Sequence, residues 1–142
     1  MSTVTTSITR AKVLMIDDDA VIRITTQEYL ESAGFEFLGE EEGLSGLAAF
    51  EENRPDIVIL DVNMPVIDGF SICEGLRESP AGKDIPILMV TGEEDIEFIN
   101  RAYEVGATDF IGKPINYSTL VHRLHCMLHD KRTANRLREA DG

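Results

Sequence analysis

Three stretches of this chain are apolar almost without interruption: Lys12–Asp17 (KVLMID), Asp56–Asp61 (DIVILD) and Ile85–Thr91 (IPILMVT). A strand with one wet face alternates apolar and polar residues. A strand covered on both faces does not alternate, and this is the pattern of a parallel sheet. Phe35–Gly39 and Thr108–Ile111 read as two further, shorter strands. Helical patterns fill every gap. Ala20–Ala33 carries Ile22, Tyr29 and Ala33 as one stripe and stops at Gly34. Leu44, Leu47 and Ala48 begin a second helix, and Asp68-Gly69 turns into a third through Cys73 and Leu76. Ile96, Ile99 and Tyr103 stripe a fourth that ends near Gly106, and Tyr117, Leu120, Val121, Leu124 and Leu128 stripe the last. A helix between successive strands permits parallel, right-handed crossovers. The expected class is α/β, a three-layer sandwich, doubly wound.

The polar residues fall where the buried runs end. Strand one ends in Asp17-Asp18-Asp19, strand three in Asp61, strand four in Thr91-Gly92, and strand five in Gly112-Lys113-Pro114. In a parallel sheet these ends share one edge, and ligands of open α/β sheets bind there. Clustered carboxylates repel one another unless a proton or a cation intervenes. A hard divalent ion with all-oxygen ligands suits such a cluster, Mg²⁺ best, with Mn²⁺ as a substitute. A carboxylate can accept a phosphoryl group when cations neutralise the charge in flight. Here Lys113 is one clamp, the metal ion the other, and Thr91 a hydroxyl donor. Each element alone has a plainer reading. Consecutive Asp residues cap helices, a strand-end Asp makes a turn, and a Lys before Pro is a surface lysine. The inference rests on the four in order at one edge.

Those segments, VLMIDDDAVIR (13–23), DIVILDVNMPVIDGF (56–70), PILMVTG (86–92) and GATDFIGKPI (106–115), resemble the receiver domains of two-component response regulators. The likeness runs over residues 11–129 and implies a flavodoxin-like (βα)5 fold with sheet order 2-1-3-4-5. It implies Asp61 as phosphoacceptor, with Asp17 and Asp18 as the acidic pair holding Mg²⁺ together with Asp61 and the backbone carbonyl of Asn63. Lys113 would pair with the acceptor and then with the phosphoryl group. Thr91 and Phe110 would be the switch residues, although Phe110 stands where many members have Tyr and carries no hydroxyl. Asn63 and Glu93 would tune self-dephosphorylation, and Lys113-Pro114 would be a cis peptide. The implied partner is a histidine kinase or histidine phosphotransfer protein. The implied output is a shape change on the face of helix four, strand five and helix five, which is also one candidate homodimer surface. A receiver is not an enzyme toward other substrates. Two alternatives stay open at this point. A haloacid-dehalogenase-type aspartyl-phosphate hydrolase also uses a strand-end Asp and Mg²⁺, but wants Asp where Asn63 stands. A degenerate receiver would act only as a binding module.

Charge narrows the partners. The net charge is −13, with 7 basic and 23 acidic residues in 1–112 but 6 basic and 3 acidic in 113–142. The acidic block would repel a phosphate backbone, so direct nucleic-acid binding is not expected. The Ser/Thr-rich segment 1–10 reads as a flexible tail rather than a signal peptide, and no run is long enough to span a membrane. A cytoplasmic location with both cysteines reduced is the expectation. The last helix has no evident stop: 130–142 is helix-forming and basic, reading as an extension or a linker to an output domain absent from this chain. Leu120, Leu124, Met127, Ala134 and Leu137 fall at coiled-coil spacing, a second way to dimerise. His122, His125 and His129 recur at i, i+3 and i+7, which reads either as surface imidazoles or as Zn²⁺ ligands.

Overall fold

The computed structural model describes residues 10–92 and 96–141, the last ten of them as helix backbone alone. The five strands are β1 (Lys12–Ile16), β2 (Glu36–Glu40), β3 (Ile57–Asp61), β4 (Ile87–Thr91) and β5 (Asp109–Gly112). The five helices are α1 (Ala20–Ser32), α2 (Gly43–Asn53), α3 (Gly69–Glu78), α4 (Ile96–Glu104) and α5 (Tyr117–Asp141). A single 3₁₀ turn, Pro80–Gly82, follows α3. The sheet order is β2-β1-β3-β4-β5 and every pairing is parallel. The expected class and strand order are therefore those observed. The peptide Lys113-Pro114 is cis.

The uninterrupted apolar runs have the cause inferred for them. Leu14, Ile16, Val58, Leu60, Ile87 and Met89 point to one side, where α2, α3 and α4 cover them. Val13, Met15, Ile57, Ile59, Leu88 and Val90 point to the other, beneath α1 and α5. Alternate residues of β1, β3 and β4 thus enter two separate cores, and polar side chains appear only at the strand ends. Cys73 lies in the first core and α5 borders the second, so the sheet separates Cys73 from Cys126, and both are free thiols.

Two helical stripes differ from expectation. In α1 the buried positions are Thr26 and Leu30, with Ile22 half-buried, while Tyr29 and Ala33 are exposed. Thr26 tolerates a core position because its hydroxyl pairs with the Tyr117 hydroxyl at 3.0 Å. Tyr29 lies flat on Tyr117 instead, ring centroids 4.3 Å apart. In α2 the buried face is Gly43, Gly46, Ala49 and Phe50, and Leu44 is exposed. A Cβ at Gly46 would come within 2.5 Å of the Ile16 side chain, so glycine is what lets α2 lie against β1. A hydrophobic stripe cannot mark a contact face made of glycine.

Candidate functional site

The carboxyl ends of β1, β3, β4 and β5 bring the strand-end residues together. Asp17, Asp61 and Thr91 are buried, an unusual condition for two carboxylates. Lys113 Nζ reaches both acids, 3.2 Å from Asp61 Oδ1 and 3.7 Å from Asp17 Oδ2. The Lys113 backbone N–H donates to the Thr91 carbonyl at 2.9 Å, which seats the residue beyond the last sheet bond between β4 and β5. Ligand oxygens of Asp17, Asp18 and Asp61 lie within 4.8 Å of one another, the one group of three metal-ligating side chains among the described residues.

The three consecutive acids divide their work. Asp19 caps α1, its Oδ1 accepting from Val21 N at 2.9 Å and Ile22 N at 3.2 Å. Asp17 turns inward, with Oδ1 held by the Asp19 N–H at 2.9 Å. Its Oδ2 is buried and has no hydrogen-bond partner. Asp18 is exposed at the mouth of the pocket. Asp61 Oδ1 accepts the Asn63 N–H at 3.3 Å in addition to facing Lys113.

Electrostatics follow from this crowding. Burial, reinforced by the charge of Asp17, pushes the Asp61 carboxyl up to about 6, against the opposing pull of Lys113 and the Asn63 N–H. Asp17 is also raised, by burial first, with the Asp19 N–H and Lys113 acting the other way. Burial alone would lower the Lys113 ammonium, but Asp17 and Asp61 outweigh it and hold the amine above its ordinary value. The site is short of positive charge. Two buried acids face one half-buried lysine, and Asp17 Oδ2, which the lysine reaches only at 3.7 Å, has no hydrogen bond. That orphaned oxygen, with all-oxygen donors around it, fits a hard divalent cation.

Phe110 is half-buried and meets Tyr103 edge-on at 6.1 Å, so its ring belongs to the α4–β5 side. Asn63 is exposed in the loop after β3. Glu93 lies outside the described residues, as do residues 1–9. The histidine triplet does not converge: His125 rests on Phe35 at 5.1 Å between ring centroids.

Two positioning residues went unassigned in the sequence. Arg23 Nη1 donates to the Asp17 carbonyl at 2.7 Å and steadies the backbone at the acid pair. Its signal, a cation four residues after an N-cap, is too common to stand out. Gly69 begins α3 directly behind Asp61, where a Cβ would collide with the Asp61 carbonyl and come within 2.7 Å of Val62 Cα. The Gly69 N–H donates to Val62 O at 2.9 Å, closing the loop under the site. Its Asp-Gly signal reads as an ordinary turn.

Fold and site define a doubly wound α/β domain with an acidic, lysine-bearing pocket at its carboxyl edge. Residues 13–125 match the family model described as the response regulator receiver domain. The transcriptional regulatory protein CseB of Streptomyces avermitilis is 40% identical over 116 residues, which cover 82% of this chain and 48% of that protein. PrrA of Mycobacterium tuberculosis is 33% identical over 123 residues, 87% of this chain and 52% of that one. The chain therefore spans about half the length of these relatives. Among solved structures, the Vibrio cholerae chemotaxis protein CheY4 superposes with a TM-score of 0.81 at 38% identity, covering 84% of this chain and 99% of that one. The chain belongs to the response regulator receiver domain family, and the hydrolase alternative is not favoured. No described helix is long and apolar enough to cross a membrane.

Proposed function

We propose that this receiver takes a phosphoryl group onto Asp61 from a phosphohistidine of a histidine kinase or histidine phosphotransfer protein, and catalyses only its own phosphorylation and dephosphorylation. The observation that carries this is the Lys113 ammonium 3.2 Å from Asp61 Oδ1, beside a buried Asp17 oxygen that has no hydrogen-bond partner. Asp17, Asp18, Asp61 and the Asn63 carbonyl would hold Mg²⁺, with Mn²⁺ as a substitute. The bound ion would supply charge neutralisation for the phosphoryl oxygens.

The residues of the chain do the rest. The Asp61 carboxylate attacks phosphorus, the P–N bond breaks, and the imidazole leaves with its electron pair. Lys113 stays within reach of the acceptor carboxylate and pairs with the incoming phosphoryl oxygens. The Thr91 hydroxyl donates to another. The new group adds about −1.5 to −2 charge. Drawing Thr91 toward it opens room for Phe110 to turn inward, and the α4–β5–α5 face shifts between two pre-existing shapes. Phe110 has no hydroxyl, so this switch works by packing alone. Asn63 and Glu93 orient the water that hydrolyses the acyl phosphate.

The relatives' names as transcriptional regulators, and their double length, support an output domain joined through residues 130–142. The setting is cytoplasmic, and the α4–β5–α5 face or the C-terminal helix is the candidate homodimer contact. Incubation with Mg²⁺ and acetyl phosphate, followed by intact mass, tests the acceptor. One added phosphoryl group is expected on the wild type and none on Asp61→Asn. A stable phospho-form of the variant would move the acceptor elsewhere. An unchanged phosphoryl lifetime in Asn63→Ala would reject the role given to Asn63.

A further inference from the structure

Asp17 is tied down at every polar atom but one. Its N–H donates to the Glu40 carbonyl at 3.0 Å, its carbonyl accepts from Arg23 Nη1 at 2.7 Å, and its Oδ1 accepts from the Asp19 N–H at 2.9 Å. Only Oδ2 has no hydrogen bond, with Lys113 Nζ at 3.7 Å. The bonds to Glu40 and Asp19 are backbone consequences of the β1–β2 pairing and of the turn into α1. The bond to Arg23 is not. It is made by a charged side chain six residues further on, and it ends on a neutral carbonyl.

Arg23 is ordered by that bond rather than by its other contact. Its side chain is 20% exposed, whereas Glu41, 3.8 Å from Nη2, is 66% exposed. An ion pair so open to water contributes little. The charge of Arg23 also works against a cation, because a guanidinium beside the acid pair repels any ion held there. What the residue supplies is geometry. With N–H, carbonyl and Oδ1 all fixed, Oδ2 is left pointing toward Lys113 and the pocket. An oxygen already in place loses less freedom when it takes up an ion.

We propose that Arg23 is a positioning residue for phosphoryl transfer, its bond to the Asp17 carbonyl presetting the free Asp17 oxygen for the divalent cation. This rests on the reading of Asp17 as an ion-holding acid. Arg23 acts only through Asp17, and its two effects on the ion have opposite signs. Loss of the charge alone would tighten ion binding, and loss of the bond loosens it.

Mn²⁺ binding to the full chain, read by electron paramagnetic resonance and competed with Mg²⁺, measures the affinity without turnover. Arg23→Met keeps an apolar stem and should weaken Mg²⁺ about tenfold, the low end of what a residue supporting a metal ligand contributes. Arg23→Lys keeps the charge but not the planar fork and should weaken it about threefold. Glu41→Gln should change it by less than about twofold. With acetyl phosphate, Arg23→Met should need more Mg²⁺ for its half-maximal rate yet approach the wild-type maximum. Unchanged or tighter Mg²⁺ binding in Arg23→Met, or a reduced maximal rate at unchanged affinity, would overturn the proposal. If Arg23→Met does not fold, unchanged affinity in Arg23→Lys overturns it equally. Asp17→Asn separates the two readings. Full Mg²⁺ affinity in that variant removes Asp17 from the ion and sinks both, whereas weak binding there beside normal binding in Arg23→Met sinks only the role of Arg23.

Discussion

The Lys113 ammonium approaches Asp61 Oδ1 more closely, at 3.2 Å, than it approaches Asp17 Oδ2, at 3.7 Å. It therefore leans toward Asp61 while still touching the neighbouring acid, and neither carboxylate is fully compensated. The resting pocket is strained electrostatically, and that strain has measurable consequences.

The first is a pH dependence of stability. Burial in the folded chain pushes the Asp61 carboxyl up to about 6 from an ordinary value near 3.8. A carboxyl raised by folding favours the fold while protonated and opposes it once ionised. The metal-free domain should thus lose stability as pH rises through the window from about 4 to 6. A shift of this size corresponds to roughly 3 kcal/mol at most. Asp61→Asn, in chelator, should stabilise the domain by about 1–3 kcal/mol at pH 8 and by little at pH 4. Urea titrations at the two pH values read this directly, and equal effects at both would contradict it.

Mg²⁺ should reverse the penalty. An ion binding only the folded chain adds stability of RT ln(1 + [L]/Kd), about 1.4 kcal/mol at tenfold Kd. Thermal unfolding should shift upward by several degrees in Mg²⁺ for the wild type. Asp17→Asn and Asp18→Asn should each lose most of that shift while remaining folded. A full Mg²⁺ response in both variants would place the ion elsewhere.

Arg77 is the main tie at the opposite edge of the sheet. Its guanidinium donates to Gly82 O and Ile85 O at 2.7 Å each, and to Gly106 O at 2.9 and 2.7 Å. Burial pulls this guanidinium below its usual value, yet the four bonds hold it in place. Arg77→Ala strands three carbonyls and should cost roughly 3–5 kcal/mol. Arg77→Lys should recover only part of this, because an ammonium cannot reproduce the planar fork. Denaturant midpoints for both variants settle the order.

Gly69→Ala should damage chemistry as well as stability. The added methyl meets backbone of Asp61 and Val62 rather than a flexible side chain, so the acceptor loop must move. A loss of roughly 2 kcal/mol or more and a phosphorylation rate by acetyl phosphate at least tenfold slower are expected. Normal rates in a destabilised variant would confine Gly69 to a structural role.

Much of this was legible in the chain itself. Residues 12–17, 56–61 and 85–91 declared doubly covered strands through unbroken hydrophobicity, since burial on both faces leaves no room for alternation. Parallel strands then oblige their carboxyl ends to meet, which is why Asp17, Asp61, Thr91 and Lys113 could be placed together without coordinates. The elements that escaped lack such a one-dimensional signature. The contact face of α2 is glycine, so apolar spacing pointed to Leu44 instead. The inward turn of Thr26 depends on Tyr117, 91 residues away. The division of Asp17, Asp18 and Asp19 into buried pocket acid, exposed rim and helix cap is invisible in three identical letters.

Order along the chain determined the architecture and the membership of the pocket, because hydrophobic period and strand direction are properties of sequence. Tertiary packing alone decided the unmatched oxygen of Asp17, the perch of Lys113 between two acids, the four bonds of Arg77 and the reach of Arg23 to the Asp17 carbonyl. Each of these depends on distances of a few tenths of an ångström between side chains, and such distances exist only once the layers have closed on one another.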